Sequence, residues 1–292
     1  MIVTILTKVL LPLSLAIIMF GMGLTLVPKD FTRITKYPKA VLIGIVNQLV
    51  FLPIIGFILA IAFDLDTTMA IGLMILAAAP GGPTSNLITQ ICKGNIALSV
   101  TLTAIVSFAT ILTIPTILSF ALDYFGSTAN VVIELPILDI ILQILVIIIV
   151  PISIGMFVRR SKPAFSTRME KPMRTASTVI FVLIFIAIVA AKWKFLGDAM
   201  KQVGLVTLLL NIATMTLGYL TARLFKLNLK DSISITVESG IQNGTLAIVI
   251  ATTVLNNLDM AIPIVAYSIW MFVTGSILMW YFGKRKDSTI DS

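Results

Sequence analysis

Long apolar runs separated by short polar or basic segments make up most of this sequence of 292 residues. Many of the runs approach the roughly 20 residues that a helix needs to cross the hydrocarbon core of a bilayer. The apolar runs and the breakers between them predict nine membrane helices. They span residues 5–27, 40–63, 67–92, 95–124, 137–158, 172–196, 199–226, 230–256 and 259–283. The pattern therefore predicts an all-α polytopic membrane protein with nine transmembrane helices in a single domain, residues 1–292.

The composition supports lipid as the solvent of this chain. Hydrophobic residues make up 58% of the sequence and charged residues only 12%, and the mean hydropathy is +1.08. A single soluble core cannot bury so large an apolar fraction. The first run lacks a preceding basic segment and a small-residue cleavage site, so we interpret it as a membrane helix rather than a secretory signal. The single cysteine, Cys92, excludes an internal disulfide and a cysteine-rich metal site.

The basic residues are distributed unevenly between the two ends of the predicted helices. If the N-terminus faces outward, 17 of the 21 Lys and Arg residues fall on the inner side. These are Lys29, Arg33, Lys36, Lys39, Lys93, the six bases between Arg159 and Arg174, Arg223, Lys226, Lys230 and Lys284 to Lys286. The outer side keeps only Lys8, Lys192, Lys194 and Lys201, and its turns near Asp64, Glu134 and Asp259 carry no base.

This asymmetry predicts an outer N-terminus and a cytoplasmic C-terminus by the positive-inside rule. The net charge of +8 then follows from membrane topology and indicates no nucleic-acid partner. The expected location is the cell membrane, as a multi-pass protein, and the modest length and short tails favour a bacterial inner membrane.

Two of the nine runs are interrupted by helix-breaking or polar residues. The interruptions are residues 80–86, Pro-Gly-Gly-Pro-Thr-Ser-Asn, and residues 238–244, Glu-Ser-Gly-Ile-Gln-Asn-Gly. They fall in the third and eighth predicted helices, and this odd offset gives the two copies opposite orientations in the membrane. Such a pattern is typical of transporters with an inverted repeat. In this chain, helices one to four would then match helices six to nine. The fifth helix has no counterpart.

Glu238 is the only acidic residue that the sequence places deep within a span. A charge at the bilayer centre costs about 2.5–3.5 kcal/mol on insertion scales, so such a residue usually has a partner or a wet cavity. One alternative is a protonated glutamate that bonds to a neighbouring helix. Gln242 and Asn243 lie one turn further on, and the freed carbonyls of unwound backbone need a positive partner. These oxygen donors favour sodium over softer metals.

Further oxygen-bearing side chains follow the first interruption. Ser85 and Asn86 come directly after it, and Ser99 and Thr103 lie one turn apart on the next helix. Ser and Thr in membrane helices also commonly bond to backbone carbonyls, which remains the alternative for Ser99 and Thr103. Pro83 fits the first position of a half-helix, whose positive dipole end attracts an anion, and a simple proline kink is its alternative.

The motifs around these residues resemble the bile acid:sodium symporter family, which includes bacterial homologues of the intestinal and hepatic bile acid carriers. The resemblance covers nearly the whole chain. Its most specific segments are residues 18–26, residues 80–86 with residues 93–99, and residues 238–243.

The resemblance implies a core domain, about residues 40–124 and 199–283, and a panel domain, about residues 5–27 and 137–196. Two discontinuous helices cross in the core, and two sodium sites lie beside the crossing. By this resemblance, the first site would consist of Ser85, Asn86, Ser99, Thr103 and Glu238. The second would consist of Glu238, Gln48, Gln242 and the carbonyls of Ser239 and Ile241. Gln48, within an apolar helix, has an alternative role as an interhelical hydrogen bonder.

The sequence also departs from the family pattern, and the departures concern the substrate. Many relatives have a threonine where this chain has Pro83, and a polar pair common in the last helix is replaced by Met271 and Phe272. Many bacterial members also begin with one more helix. The expected substrate is a small organic anion, either bile-acid-like or a smaller carboxylate, in a pocket near Thr84, Ser85 and Asn243. Pro83, Met271 and Phe272 are expected to line the same pocket.

These observations predict a sodium-coupled symporter that works by alternating access, with two sodium ions, one organic anion and the lipid bilayer as partners. A cation/proton antiporter or an ion channel of similar architecture remains the alternative. An antiporter is expected to have an acidic pair or a basic partner beside the crossing, where only Glu238 is predicted. With no histidine in the sequence, zinc-protease and Ser-His chemistry is excluded, so we expect no enzyme.

Overall fold

A computed structural model describes residues 11–32, 35, 37–128, 137–191 and 193–284. Helices account for most of these residues, and the described part of the chain contains one isolated β-bridge and no longer strand. Several residues that the sequence analysis assigned to helices or loops lie outside the described residues. They are residues 5–10 of the first predicted helix, Lys8, Arg33, Lys36, Glu134, Lys192, Arg285 and Lys286.

Twelve helices follow one another in the described residues. The first six are α1 (Leu11–Gly23), α2 (Pro28–Thr32), α3 (Pro38–Ala62), α4 (Thr67–Ala78), α5 (Pro83–Ile91) and α6 (Ile96–Thr128). The seventh, α7, runs through Ile137–Ile144, a π-helical turn at Leu145–Ile149, and Val150–Ser161. The last five are α8 (Pro163–Ala191), α9 (Trp193–Leu224), α10 (Leu229–Gly240), α11 (Gly244–Val254) and α12 (Ala261–Gly283).

Five helices in the described residues are long and apolar enough to cross a membrane. They cover Pro38–Ala62, Ile96–Ser127, Ile140–Ser161, Met200–Leu224 and Ala261–Gly283. Three shorter apolar helices accompany them, at Leu11–Gly23, Thr67–Ala78 and Gly244–Val254. The described part of the chain therefore has the architecture of a helical, multi-pass membrane protein, and the count of nine spans stays a prediction.

The helix boundaries differ from the predicted ones mainly where charge interrupts the apolar pattern. The sixth predicted helix begins at residue 172, but α8 begins at Pro163 and contains Pro172 in its interior. Arg168 and Lys171 therefore lie on this helix rather than in a loop. Hydropathy missed this amphipathic end because its charged residues end the apolar run that defines a span. Similarly, α9 begins at Trp193, before the predicted start at residue 199.

The connections α3–α4 and α9–α10 have the same local geometry. Each contains one residue in the left-handed region, Asp64 with φ of 48° and Lys226 with φ of 58°. The residue after it donates its amide to the carbonyl five positions earlier, Leu65 to Ala60 and Leu227 to Ala222. Asp66 and Asn228 then cap helices of 12 residues each, α4 and α10. Two distant parts of the chain thus repeat one helix–turn–helix unit.

Helices α4 and α10 occupy the centre of the molecule, and both end within it. The second half of α4 is buried throughout, and so is α10 from Asp231 to Gly240. By contrast, α7 exposes several large apolar side chains, such as Leu138, Val146 and Phe157. These exposed apolar side chains lie where a lipid-facing surface is expected, whereas α4 and α10 are enclosed by protein.

Helices α1 and α7 pack with their backbones in direct contact. A Cβ atom at Gly155 would contact the carbonyl oxygen of Phe20 and lie 2.8 Å from the Cα of Gly23. A Cβ atom at Gly23 would in turn contact the carbonyl oxygen of Ile152. Close approach of this kind through small residues is a usual way to join helices in lipid.

We therefore expect Gly155→Ala to destabilise the protein by about 1–3 kcal/mol, because its new methyl group has no space between the two backbones. Thermal unfolding of the purified protein in detergent measures the effect. Gly197→Ala on α9 is the matched control, since a Cβ atom there meets nothing within 4 Å. Equal melting temperatures for the two variants would contradict the close contact between α1 and α7.

Candidate functional site

The two helix interruptions meet and bond to each other. The amide of Asn243 donates to the carbonyl of Pro80 at 2.8 Å, and the amide of Gly82 approaches the carbonyl of Ile241 at 3.4 Å. Gly81 and Gln242 form an isolated antiparallel bridge between these bonds. Ends of four helices, α4, α5, α10 and α11, therefore converge on one crossing of extended backbone.

Local sequence explains why both helices stop and restart here. Pro80 and Pro83 have no amide hydrogen, so each removes an intrahelical hydrogen bond and disfavours continuation of the preceding helix. Pro83 opens α5 directly after Gly82, where its missing amide costs no intrahelical bond. The second interruption restarts through Asn243, whose side-chain oxygen accepts from the amide of Leu246 at 3.0 Å. Pro83 thus begins a helix instead of kinking one.

Glu238 lies in the last turn of α10 and is completely buried. Its carboxylate faces three hydroxyl groups on α5 and α6. Ser85 and Ser99 each lie 2.5 Å from Oε1, and Thr103 lies 3.0 Å from both Oε1 and Oε2. Ser99 is also 2.8 Å from the Oδ1 atom of Asn86. The structure therefore brings together all five residues predicted for the first ion site.

Each hydroxyl in this group has a second acceptor. Ser85 reaches the carbonyl of Gly82 at 2.7 Å, and Thr103 reaches the carbonyl of Ser99 at 3.0 Å. Since a hydroxyl has one proton and two lone pairs, it can donate to the carboxylate or rotate its proton toward the second acceptor. In the second orientation its lone pairs face Glu238. The same side chains can therefore surround a carboxylate alone or help to bind a cation.

Within the described part of the chain, no Lys or Arg side chain pairs with Glu238. A buried carboxylate without a compensating charge is strongly unfavourable and must gain either a proton or a cation. The hydroxyl groups soften this cost but supply no positive charge. In its ionised form Glu238 therefore places one unbalanced negative charge at the centre of the helical bundle, which a bound proton or cation would neutralise.

The residues predicted for the second ion site also lie together. Gln48 belongs to a π-helical turn in α3, Asn47–Phe51, and its Oε1 atom accepts from the amide of Gly81 at 3.2 Å. The Nε2 atom of Gln242 donates to the carbonyl of Ser239 at 2.9 Å. A Cβ atom at Gly81 would contact Glu238 and lie 3.5 Å from Gln48, so this glycine separates the two side chains.

Two amide atoms at this second position are buried without a hydrogen-bond partner in the residues described. They are the Nε2 atom of Gln48 and the Oε1 atom of Gln242. Buried polar groups are almost always bonded, so these two atoms retain the capacity to bind a ligand or water at the crossing. The Oε1 atom of Gln242 is an oxygen that a cation can use directly.

A cavity of about 270 Å³ adjoins the crossing, between the interrupted helices and helices α1, α8 and α12. All five residues predicted for the substrate line this cavity, and they are Pro83, Thr84, Asn243, Met271 and Phe272. Asn86 and Gln242 line it as well, so both predicted ion sites reach the cavity wall. Among the described lining residues there is no Lys or Arg, and Glu170 is the only acid.

The structure also identifies polar residues that sequence analysis missed. Asn211 on α9 and Tyr267 on α12 both donate to the carbonyl of Gly240, at 2.8 and 2.9 Å. Thr274 donates to the Oδ1 atom of Asn211 at 2.7 Å. The family resemblance identified Gln48, which is an amide side chain within an apolar helix, and the same local signal applied equally to Asn211.

Residues 12–199 match the sodium bile acid symporter family. This match covers more than half of the chain. The protein belongs to the sodium bile acid symporter family. The chain is therefore a membrane transporter of a sodium-dependent family and is not an enzyme.

Three relatives illustrate the range of the family. The sodium-dependent transporter YocS of Bacillus subtilis is 33% identical, over 93% of this chain and 82% of its own length. The human ileal sodium/bile acid cotransporter is 27% identical, over 98% of this chain and 82% of its own length. An Arabidopsis thaliana chloroplastic protein, named "Probable sodium/metabolite cotransporter BASS1", is 28% identical over 91% of this chain and 64% of its own length.

The crossing itself gives a sharp test of this geometry. We expect Gly81→Ala to destabilise the protein by about 1–3 kcal/mol, because the added methyl group contacts the Glu238 carboxylate. Gly82→Ala is the matched control, since its methyl group would lie at an ordinary 3.4 Å from the Cα of Asn243. Thermal unfolding of both purified variants makes the comparison. A Gly82→Ala variant as unstable as Gly81→Ala would contradict the described crossing.

Proposed function

We propose that the protein is a secondary active symporter that uses sodium to drive a small organic anion across the membrane by alternating access. The observation that carries this proposal is the buried Glu238 carboxylate at the crossing of two interrupted helices, whose side-chain partners among the described residues are all hydroxyl groups. A protein that must neutralise one buried charge where two interrupted helices cross can link its conformation to ion binding.

The first proposed sodium site consists of Glu238 with Ser85, Asn86, Ser99 and Thr103. Carboxylate, amide and hydroxyl oxygens are hard ligands, which suit an alkali cation better than a transition metal. In support, the described residues contain no group of three or more His, Cys, Asp or Glu side chains that could hold a metal. On sodium binding, the hydroxyl protons would turn to their second acceptors and leave their lone pairs for the ion.

The second proposed sodium site consists of Gln48, Glu238, Gln242 and the carbonyls of Ser239 and Ile241. The unpaired Oε1 atom of Gln242 supports it, because this buried oxygen lacks a partner within the described residues. Both sites use Glu238, so binding of one ion changes the electrostatic environment of the other. Two monovalent cations against one carboxylate leave a net positive charge, which favours an anionic substrate nearby.

The proposed architecture is a nine-helix bundle with an inverted repeat. The matching turns α3–α4 and α9–α10, with their left-handed residues Asp64 and Lys226, support this internal symmetry. The core would comprise about residues 40–124 and 199–283, and the panel about residues 5–27 and 137–196. Rocking of the core against the panel would then expose the crossing to each side of the membrane in turn.

The proposed substrate is a carboxylate, bile-acid-like or smaller, that binds in the cavity with its charged group near Thr84, Ser85 and Asn243. The start of α5 at Pro83 supplies a positive dipole end at this wall of the cavity. Met271 and Phe272 face the same space, so an apolar remainder of the substrate can pack there. Attraction by the helix dipole and by bound sodium replaces the Lys or Arg that the described lining lacks.

The cavity extends toward the side that carries most of the basic residues. Gln90 and Ile96 line it next to Lys93, and Glu170 lines it next to Lys171. The positive-inside rule supports a cytoplasmic assignment for this side, and in the proposed cycle a cavity open there would correspond to the inward-facing half. The N-terminus would be external and the membrane a bacterial inner membrane.

Sodium-dependent stabilisation is the first expected result. We expect sodium chloride to raise the melting temperature of the purified protein, whereas potassium or choline chloride at equal ionic strength does not. Saturation to 100 times the dissociation constant stabilises a single-site protein by about 2.7 kcal/mol. Glu238→Gln removes the anionic ligand at nearly constant volume and should abolish the response.

Asp123→Asn on α6 is the control, because this carboxylate is exposed and far along the helix from Ser99 and Thr103. It should keep the full sodium response. Absence of a sodium effect in the native chain would refute the proposal and favour an ion channel. A sodium flux driven by a pH gradient without any organic substrate would favour a cation/proton antiporter instead.

Transport is expected to be electrogenic. Two sodium ions and one monovalent anion move one net positive charge inward in each cycle. In proteoliposomes, a negative internal potential should therefore accelerate uptake of a labelled carboxylate in sodium, and replacing sodium with choline should abolish uptake. Uptake that does not respond to the membrane potential would contradict the proposed ratio of ions to substrate.

A further inference from the structure

The carbonyl of Gly240, the last residue of α10, accepts two side-chain hydrogen bonds from outside its own helix. Asn211 on α9 donates at 2.8 Å, and Tyr267 on α12 donates at 2.9 Å. Both side chains are completely buried. The last carbonyls of a helix lack intrahelical partners, so a helix that ends inside a membrane protein needs donors of this kind.

These two bonds occupy both lone pairs of the Gly240 oxygen. Gly240 stands between Ser239 and Ile241, the two residues whose carbonyls belong to the second proposed sodium site. Because consecutive peptide groups share one backbone, holding the Gly240 carbonyl against α9 and α12 restricts the directions of its two neighbours. The partners of Glu238, by contrast, lie on α5 and α6.

Further contacts fix the two donors themselves. Thr274 donates to the Oδ1 atom of Asn211 at 2.7 Å, which directs the Nδ2 atom of Asn211 toward Gly240. The Tyr267 hydroxyl, which donates to Gly240, is also near the side chains of Asn211, Thr214 and Gln242. Gln242 is the residue whose Oε1 atom is unpaired at the crossing. The two donors therefore adjoin the second proposed sodium site from the carbonyl side and from the Gln242 side.

We propose that Asn211 and Tyr267 are positioning residues for the second sodium site. The inference rests on the proposed function and names residues that contact no ion themselves. They hold the carbonyl end of α10 so that Ser239, Ile241 and Gln242 present their oxygens to the ion. Without them, the same oxygens are still present but are not arranged in advance for the cation.

A purely structural role for these bonds has a different signature. If they only cap α10, their loss lowers the melting temperature equally with and without sodium. If they position the ion site, their loss raises the sodium concentration needed for stabilisation. The sodium titration therefore separates positioning from capping.

The experiment uses the full-length protein in detergent and measures the sodium concentration at half-maximal thermal stabilisation, with choline chloride holding the ionic strength constant. Tyr267→Phe removes one hydroxyl and keeps the buried ring, and Asn211→Ala removes the other donor. We expect each to raise the half-maximal sodium concentration about threefold to tenfold, which corresponds to the loss of one hydrogen bond in the ion-bound state. Tyr267→Phe provides the test even if Asn211→Ala fails to fold.

Ser268→Ala is the matched control, because this neighbouring hydroxyl is also fully buried but bonds within its own helix to the carbonyl of Ile264. It should change the half-maximal concentration less than about twofold. Unchanged sodium titrations for Tyr267→Phe and Asn211→Ala, together with lower melting temperatures in choline, would overturn the positioning role. Failure of the proposed function is recognised separately, because the native chain would then show no sodium response at all.

Discussion

Backbone groups inside a membrane cannot rely on water, and this constraint governs the centre of the molecule. Two helices stop there, and each exposes amides and carbonyls that must find partners in protein. The extended segments bond to each other through Asn243 with Pro80 and Gly82 with Ile241, and the amide of Gly81 bonds to Gln48. Neither interruption can satisfy its backbone without the other. The crossing therefore depends on both halves of the chain and can form only when they pack together.

The same enclosed environment explains the chemistry of Glu238. Its fully buried carboxylate contacts three hydroxyl groups on α5 and α6, and no basic residue in the described part of the chain balances its charge. Hydroxyl groups are suited to this position because each can donate a hydrogen bond to a carboxylate that has no bound ion. When a cation is bound, the same hydroxyl can turn its lone pairs toward the ion. A Lys or Arg at the site would neutralise the charge permanently and remove the need for an ion. The unbalanced charge and the adaptable donors together favour reversible cation binding.

The cavity shares residues with the proposed ion sites, which links the two kinds of ligand. Asn86 accepts from Ser99 and also lines the cavity, and Gln242 bonds to the carbonyl of Ser239 and lines it too. Helix α12 adds a second connection, because Met271 lines the cavity one turn from Tyr267, which bonds to Gly240. The proposed ion sites and the cavity wall are therefore joined by direct contacts. Energetic coupling between ion and substrate requires contacts of this kind.

The sequence by itself determined what depends on local pattern. Apolar runs predicted the positions of the helices, Pro and Gly marked both interruptions, and the scarcity of buried acids singled out Glu238. Hydropathy failed where charged residues continue a helix, as at the start of α8. It predicted nine membrane spans, of which five described helices have the required length and apolar composition, and the interrupted helices are individually too short to be among them. The family resemblance grouped the oxygen-bearing residues, which spacing alone did not.

Only the tertiary structure decided which distant groups touch. The bonds of Asn211 and Tyr267 to Gly240, and of Asn95 to Asp231 at 2.7 Å, join residues that are 29, 27 and 136 positions apart. An asparagine within an apolar helix predicts that a buried hydrogen-bond partner exists, but it does not predict which residue that partner is. That choice depends on how the helices pack around the crossing, and packing is a property of the whole fold rather than of any segment.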